Sequence, residues 1–195
     1  MCRNVANQWL NGAGCPPADV GYEYINVSAS NMLSAPGVVR SSPLGRCCTP
    51  QIDDCWPAMS RSPSGELLAD PERFPGGLKA VADYVHGKGL KLGTYLDIGT
   101  TTCGGFPGFN VSALDDQGPE PQYVKDIKAL AAAGIDSLKV DGCNADPRVM
   151  NITYPKLGDA LNATGRPILY SCSWPDYVRS SFGNGAVREL RLLRI

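Results

Sequence analysis

The stretch that decides the fold is PERFPGGLKAVADYVHGKGLKLGTYLDIG, Pro71 to Gly99. Its first half places Leu78, Val81, Ala82 and Val85 at helical spacing, and Gly89 closes the helix. Its second half alternates like a strand, with Leu92, Leu96 and Ile98 on one face and Tyr95 and Asp97 on the other. A Gly/Pro/Thr-rich loop follows, and then the rhythm repeats. YVKDIKALAAAGI predicts a helix with Val124, Ile127 and Ala131 in register, and SLKVDGC a short strand. Pro155 to Leu161 predicts a helix that stops near Gly165, and RPILYSCSW another strand. Strands alternating with helices at short, even spacing are the pattern of βαβ units and a parallel sheet. Asp53, Asp54, Asp97, Asp141 and Ser173 fall at the carboxyl ends of the strands, where a (β/α)8 barrel builds its active site. A doubly wound sheet obeys a similar rule, but no G-x-G-x-x-G follows a strand here. The expected fold class is α/β with a parallel sheet, closed as a (β/α)8 barrel or open and doubly wound. There is no internal repeat.

The 195 residues amount to one domain, and 43% hydrophobic content supplies a globular core. A net charge of −1 gives no electrostatic case for nucleic acid or an anionic membrane surface. No apolar run reaches the ~18 residues of a membrane span. MCRNVANQWLNGAGC has no apolar core of a signal peptide. The eight cysteines contain no C-x-x-C pair and the one histidine, His86, lies in a helical pattern as a structural or solvated residue. A zinc centre, a His-based metal site and a Ser-His-Asp triad are therefore not expected; three acids and a lysine could hold Mg²⁺, but nothing selects for that over sugar hydroxyls, and no cofactor is implied. Four N-x-S/T triplets, at Asn26, Asn110, Asn151 and Asn162, together with the cysteines point to the secretory pathway. The lack of a leader then leads us to expect the true start of the protein elsewhere.

SLKVDGC is the most informative motif. Alternation puts Ser137, Lys139 and Asp141 on one face and Leu138 and Val140 on the other. With the apolar pair facing helices, Lys139 and Asp141 face the lumen together. A lysine beside an aspartate keeps the carboxylate ionised, which suits a nucleophile better than a general acid. The same pair also fits a structural ion pair. In IDDCW, Asp53 and Asp54 point to opposite sides of a strand. Ionised carboxylates there can accept from the hydroxyls of a polyol, or simply cap a turn. Trp56, Tyr95 and Trp174 offer either aromatic platforms for a sugar ring or core packing.

GYEYIN with IDDCW, GELLADPERFPGGLKAVADYVHGKGLKLGTYLDIG, TCGGFPG, LKVDGC and ALNATGRPILYSCSWP together resemble the lysosomal-type α-galactosidases and α-N-acetylgalactosaminidases of glycoside hydrolase family 27. The resemblance covers Gly21 to Tyr177, apart from one interruption. It implies a (β/α)8 barrel and a retaining mechanism on terminal α-galactose or α-N-acetylgalactosamine, with Asp141 as nucleophile. It further implies that Asp53, Asp54 and Lys139 bind sugar hydroxyls, that Tyr95 lines the pocket, and that Cys103 pairs with Cys143. Sugar choice falls on Ser173 and Asp176. Ser173 matches the N-acetylgalactosaminidases, whereas Asp176 stands where they carry a small residue. We expect N-acetylgalactosamine to be accepted. Asn110, Asn151 and Asn162 are the expected glycosylation sites. The family implies a glycoside substrate, a homodimer for the full-length member, and a lysosomal or secreted location.

Three departures qualify the resemblance. The barrel's opening segment is not recognisable before Gly21. The pattern stops after Tyr177, leaving a tail over 178–195 without a family counterpart. The family's acid/base aspartate lies farther along, so the chain reads as the first half of a barrel and is expected to be inactive as written. Lastly, Val27–Gln51 interrupts what would otherwise read GYEYINIDDCW. Val-Ser can be encoded GTG AGT and Gln CAG, a splice donor and acceptor, so the tract reads as a retained intron translated in frame. The Cys47-Cys48 pair falls inside it. The cysteines matching Cys55 and Cys172 are expected to pair outside the matched region.

Overall fold

A computed structural model describes residues 24–27, 49–87, 90–112 and 119–182, with backbone alone for 24–27 and 49–50. Its strands are β1 (Tyr24–Val27), β2 (Thr49–Ile52), β3 (Gly93–Asp97), β4 (Ser137–Asp141) and β5 (Leu169–Cys172). Four helices alternate with them: α1 (Gly77–His86), α2 (Gln122–Ala132), α3 (Met150–Ala163) and α4 (Trp174–Phe182). The sheet runs β1-β2-β3-β4-β5, every neighbouring pair parallel. An unreversed order is that of a β/α barrel wall, and a doubly wound sheet would reverse direction at a switch point.

The core lies between strands and helices. Leu92, Leu96, Ile98, Leu138 and Val140 pack against Leu78, Ala82 and Val85 of α1, Ile127 and Leu130 of α2, and Leu157 and Leu161 of α3. All five residues of β3 are buried, as a strand covered on both faces requires. On the inner face Gln51 and Ser137 are buried on either side of Gly93. A Cβ at Gly93 would come within 2.2 Å of Ser137 Oγ and 3.0 Å of Gln51 Cγ, so only glycine fits.

The α2 face differs from the expected one. Its buried residues are Tyr123, Asp126, Ile127 and Leu130, with Val124 and Ala131 only half-buried. Arg61 explains the rotation: it donates to Asp126 through both terminal nitrogens (2.9 and 2.7 Å) and draws this side of the helix inward. Helix α3 begins five residues before Pro155, which sits in its second turn at the cost of one intrahelical hydrogen bond.

The interrupted strand also differs. GYEYIN and IDDCW do not join; Tyr24–Val27 and Thr49–Ile52 lie side by side, with Asn26 opposite Gln51 and Val27 opposite Ile52. The closing glycine Gly89, the Cys47-Cys48 pair, the tract over 28–48 and the tail over 183–195 lie outside the described residues.

Candidate active site

The site grows from the register of β3 and β4. Tyr95 is paired with Lys139 and Asp97 with Asp141. In a parallel pair, side chains at matched positions share a face. All four therefore project to the same side at the carboxyl end of the sheet, and β2 delivers Asp53 and Asp54 to that end just beyond Ile52.

Asp141 is half-buried and held by three donors. The Tyr177 hydroxyl donates to Oδ1 at 2.8 Å, the Gly142 amide to the same oxygen at 3.2 Å, and the Tyr95 hydroxyl reaches Oδ2 at 3.4 Å. Burial, followed by the Asp141 charge, pushes the Tyr95 phenol up. Burial and the bond to Asp141 do the same to Tyr177. Both phenols stay protonated and remain donors.

Lys139 Nζ lies 3.2 and 3.4 Å from the Asp53 oxygens and 4.9 Å above the centre of the Tyr95 ring. Asp53 also accepts from the Asp54 amide at 2.9 Å. Asp54 accepts from the Cys55 and Gly104 amides at 2.7 and 2.8 Å, which ties the end of β2 to the loop after β3. That loop is fastened a second time by the Cys103–Cys143 disulfide, with 5.2 Å between the α-carbons. Tyr177 Oη lies 3.2 Å from Cys143 Sγ, so the disulfide forms one wall beside Asp141.

Asp53, Asp54, Tyr95, Lys139, Asp141 and the disulfide thus come together. Ser173 sits at the next strand end, its amide donating to the Val140 carbonyl at 3.0 Å. Asp176 does not join them. It is exposed on α4 and paired with Arg179 at 2.6 Å. Trp56 and Trp174 are core residues. Trp56 donates to the Tyr95 carbonyl at 2.6 Å, and Trp174 stacks on Tyr154 with 5.9 Å between ring centres. Asn110, Asn151 and Asn162 are exposed. His86 is structural, bonded to Asp136 at 2.8 Å.

Tyr177 is the residue that sequence reasoning missed. Its signal is spacing: it lies four residues beyond the strand-end Ser173, one helical turn into α4. Asp97, placed at a strand end by the sequence but given no role, is a fully buried carboxyl pushed up to about 7, chiefly by burial. Asp97 and the sulfurs of Cys103 and Cys143 lie within 4.8 Å of one another. The disulfide occupies both sulfurs, so the trio is no metal site while it is intact.

A family model described as alpha galactosidase A (Melibiase_2) matches residues 47–191. The chain belongs to that family. The match begins inside the tract 27–51 and runs past Tyr177. Over 126 residues the chain is 49% identical to an alpha-N-acetylgalactosaminidase from Gallus gallus, covering 65% of this chain and 29% of that protein. Over 129 residues it is 47% identical to the alpha-galactosidase A of Homo sapiens, covering 65% and 28%. The alpha-galactosidase I structure from Mortierella vinacea superposes with a TM-score of 0.54 at 42% identity, over 64% of this chain and 30% of that one. The chain therefore spans less than a third of the length of these relatives. The relatives are glycoside hydrolases, and the β/α sheet is part of their barrel.

Proposed function

We propose that the site serves a retaining exo-glycosidase that removes terminal α-N-acetylgalactosamine or α-galactose from glycoconjugates, with Asp141 as the nucleophile. The observation that carries this reading is the setting of Asp141. It is half-exposed at a strand end, oriented by two phenols, and shares its strand face with Lys139, which pairs with Asp53. An Asp141 oxygen attacks the anomeric carbon as the glycosidic C–O bond breaks. The leaving oxygen takes a proton from the second, acid/base carboxyl that retention requires, and that carboxylate then takes a proton from the water that hydrolyses the glycosyl ester. Lys139 donates to sugar hydroxyls and Asp53 and Asp54 accept from them. Ser173 leaves space for an N-acetyl group. Asp176, drawn to Arg179, does not crowd that space.

A second reading, sugar binding without full turnover, has its own support. Retention needs a second carboxyl about 5–5.5 Å from the nucleophile as acid/base. Among the described residues the neighbouring carboxyls have other partners. Asp53 is paired with Lys139, Asp54 with two amides, and Asp97 is fully buried. Assays on nitrophenyl α-galactoside and α-N-acetylgalactosaminide separate the readings. Hydrolysis that disappears in Asp141→Asn supports the enzyme. Galactose binding without hydrolysis supports the second reading.

The disulfide and exposed sequons fit the lysosome or the cell exterior, where oxidation is permitted. The full-length protein is proposed as a homodimer. No helix among the described residues is long and apolar enough to cross a membrane. Residues 27–51 are proposed as a retained intron. The register supports joining the flanks, because Tyr24, Ile25 and Asn26 lie level with Thr49, Pro50 and Gln51 and could replace them one for one. A transcript that keeps these codons as its major form in active tissue sinks this idea.

A further inference from the structure

We propose that Asp97 is a positioning residue for Asp141, its buried carboxyl group gripping the Gly99 and Cys143 amides and so fixing the turn that aims the nucleophile. This rests on the reading of Asp141 above. Asp97 Oδ1 accepts from the Gly99 amide at 2.8 Å and Oδ2 from the Cys143 amide at 2.9 Å. One residue therefore joins the loop after β3 to the loop after β4.

The grip reaches Asp141 through a single residue. Gly142 lies between Asp141 and Cys143. Its amide donates to Asp141 Oδ1, and a Cβ on it would come within 2.8 Å of the Tyr177 ring. A shift of the Cys143 amide thus moves both the backbone donor to Asp141 and the surface that seats Tyr177. The two loops have no slack: a Cβ at Gly99 would come within 2.3 Å of the Cys143 carbonyl oxygen. The Ile98 amide also donates to the Asp141 carbonyl at 2.9 Å.

A buried leucine at position 97 would pack well but would leave two N–H groups without partners. Asparagine offers one oxygen and turns an N–H₂ group towards the other donor. Only a carboxylate satisfies both amides. The ionisable groups that interact with Asp97 are Asp54, Asp141, Tyr95, Tyr154 and Tyr177, all acids. Burial pushes Asp97 up most, the Gly99 and Cys143 hydrogen bonds pull it down, and the Asp141 and Asp54 charges add a smaller push, leaving it at about 7, so the grip titrates near neutrality.

Two readouts on the full chain test this. In ¹⁵N NMR, the Gly99 and Cys143 amides should titrate together with a midpoint about 7, and Asp97→Asn should remove that titration. The probe for aim is a ring-fluorinated α-galactosyl fluoride. Its fluoride leaves with the bonding electrons as Asp141 forms the ester, and no acid is needed. At saturating probe, Asp97→Asn should label roughly 10–100-fold more slowly while galactose affinity holds. A merely structural residue would not divide rate from affinity in this way. The proposal is overturned if the two amides do not titrate together, or if folded Asp97→Asn labels at the unmodified rate. If Asp97→Asn does not fold, the amide titration of the unmodified chain decides. Failure of the unmodified chain to label, or labelling that survives Asp141→Asn, counts against the nucleophile reading, and the amide titration then decides on Asp97 alone.

Discussion

The two ends of the sheet both carry part-buried charge, but they use it differently. At the amino end, Asp136 accepts from Arg166 at 2.6 Å, and from His86 and the Leu92 amide at 2.8 Å each. Arg166 in turn donates to the Ile135 and Gly134 carbonyls at 2.8 and 3.0 Å. These contacts are short. At the carboxyl end, Lys139 and Asp53 meet at 3.2 Å with about a quarter of each side chain exposed, and the Tyr95–Asp141 contact is 3.4 Å. The first cluster is saturated by its own hydrogen bonds and staples α1, β4 and β5 together. The second is held in place yet keeps capacity for a ligand. A cavity of about 500 Å³ lies at the amino end, lined by Lys91, Asp136, Asn162, Arg166 and Leu169. Its Asp136 and Arg166 are spent on each other, so size does not make it the reacting site.

Substitutions should separate the two ends cleanly. The largest effect is expected for Asp141→Asn, which should lower glycosyl transfer by roughly 10³-fold or more with stability little changed. Activity and thermal melts on the same preparation check this. The next is a pH effect. Asp97 stands near 3.8 in the unfolded chain and about 7 in the folded one, so the folded chain holds the extra proton. Stability should therefore fall as pH rises from 3.8 to about 7, by on the order of 3–4 kcal/mol at most, and Asp97→Asn should flatten the slope. Urea titrations across that range measure it.

Asp136→Ala should cost about 3 kcal/mol by stranding Arg166 and the Leu92 amide, and leave galactose affinity of the folded chain intact. Denaturation beside calorimetric binding tests both halves. Lys139→Met should do the reverse, weakening galactose binding about tenfold with a smaller change in stability. The smallest effect belongs to Lys79→Ala. Its exposed pair with Asp83 on α1 should contribute no more than about 0.5 kcal/mol, seen as a minor shift in melting temperature.

The face shared by Lys139 and Asp141 was legible because a strand's period of two is local. So was the alternation of strands and helices, which gives the barrel order. The pairing of Tyr95 with Lys139 and of Asp97 with Asp141 was not, because register is set by packing across 44 residues of chain. Asp97 looked like one more strand-end acid until the loops that bury it were in place. Tyr177 was hidden because the reach of a side chain from α4 depends on how the helix leaves β5. The buried face of α2 turned on Arg61, 65 residues away from Asp126. The aromatics at the strand ends divided: Tyr95 brings its hydroxyl to the site, whereas Trp56 and Trp174 use their ring N–H or ring face inside the core.

The most direct test of the central claim is to locate the sugar. The chain is incubated with the ring-fluorinated α-galactosyl fluoride, digested, and the labelled peptide sequenced by mass spectrometry. One hexosyl-type ester is expected, on the carboxylate of Asp141 within SLKVDGC. A label on Asp53, Asp54 or Asp97, with Asp141 free, would contradict it.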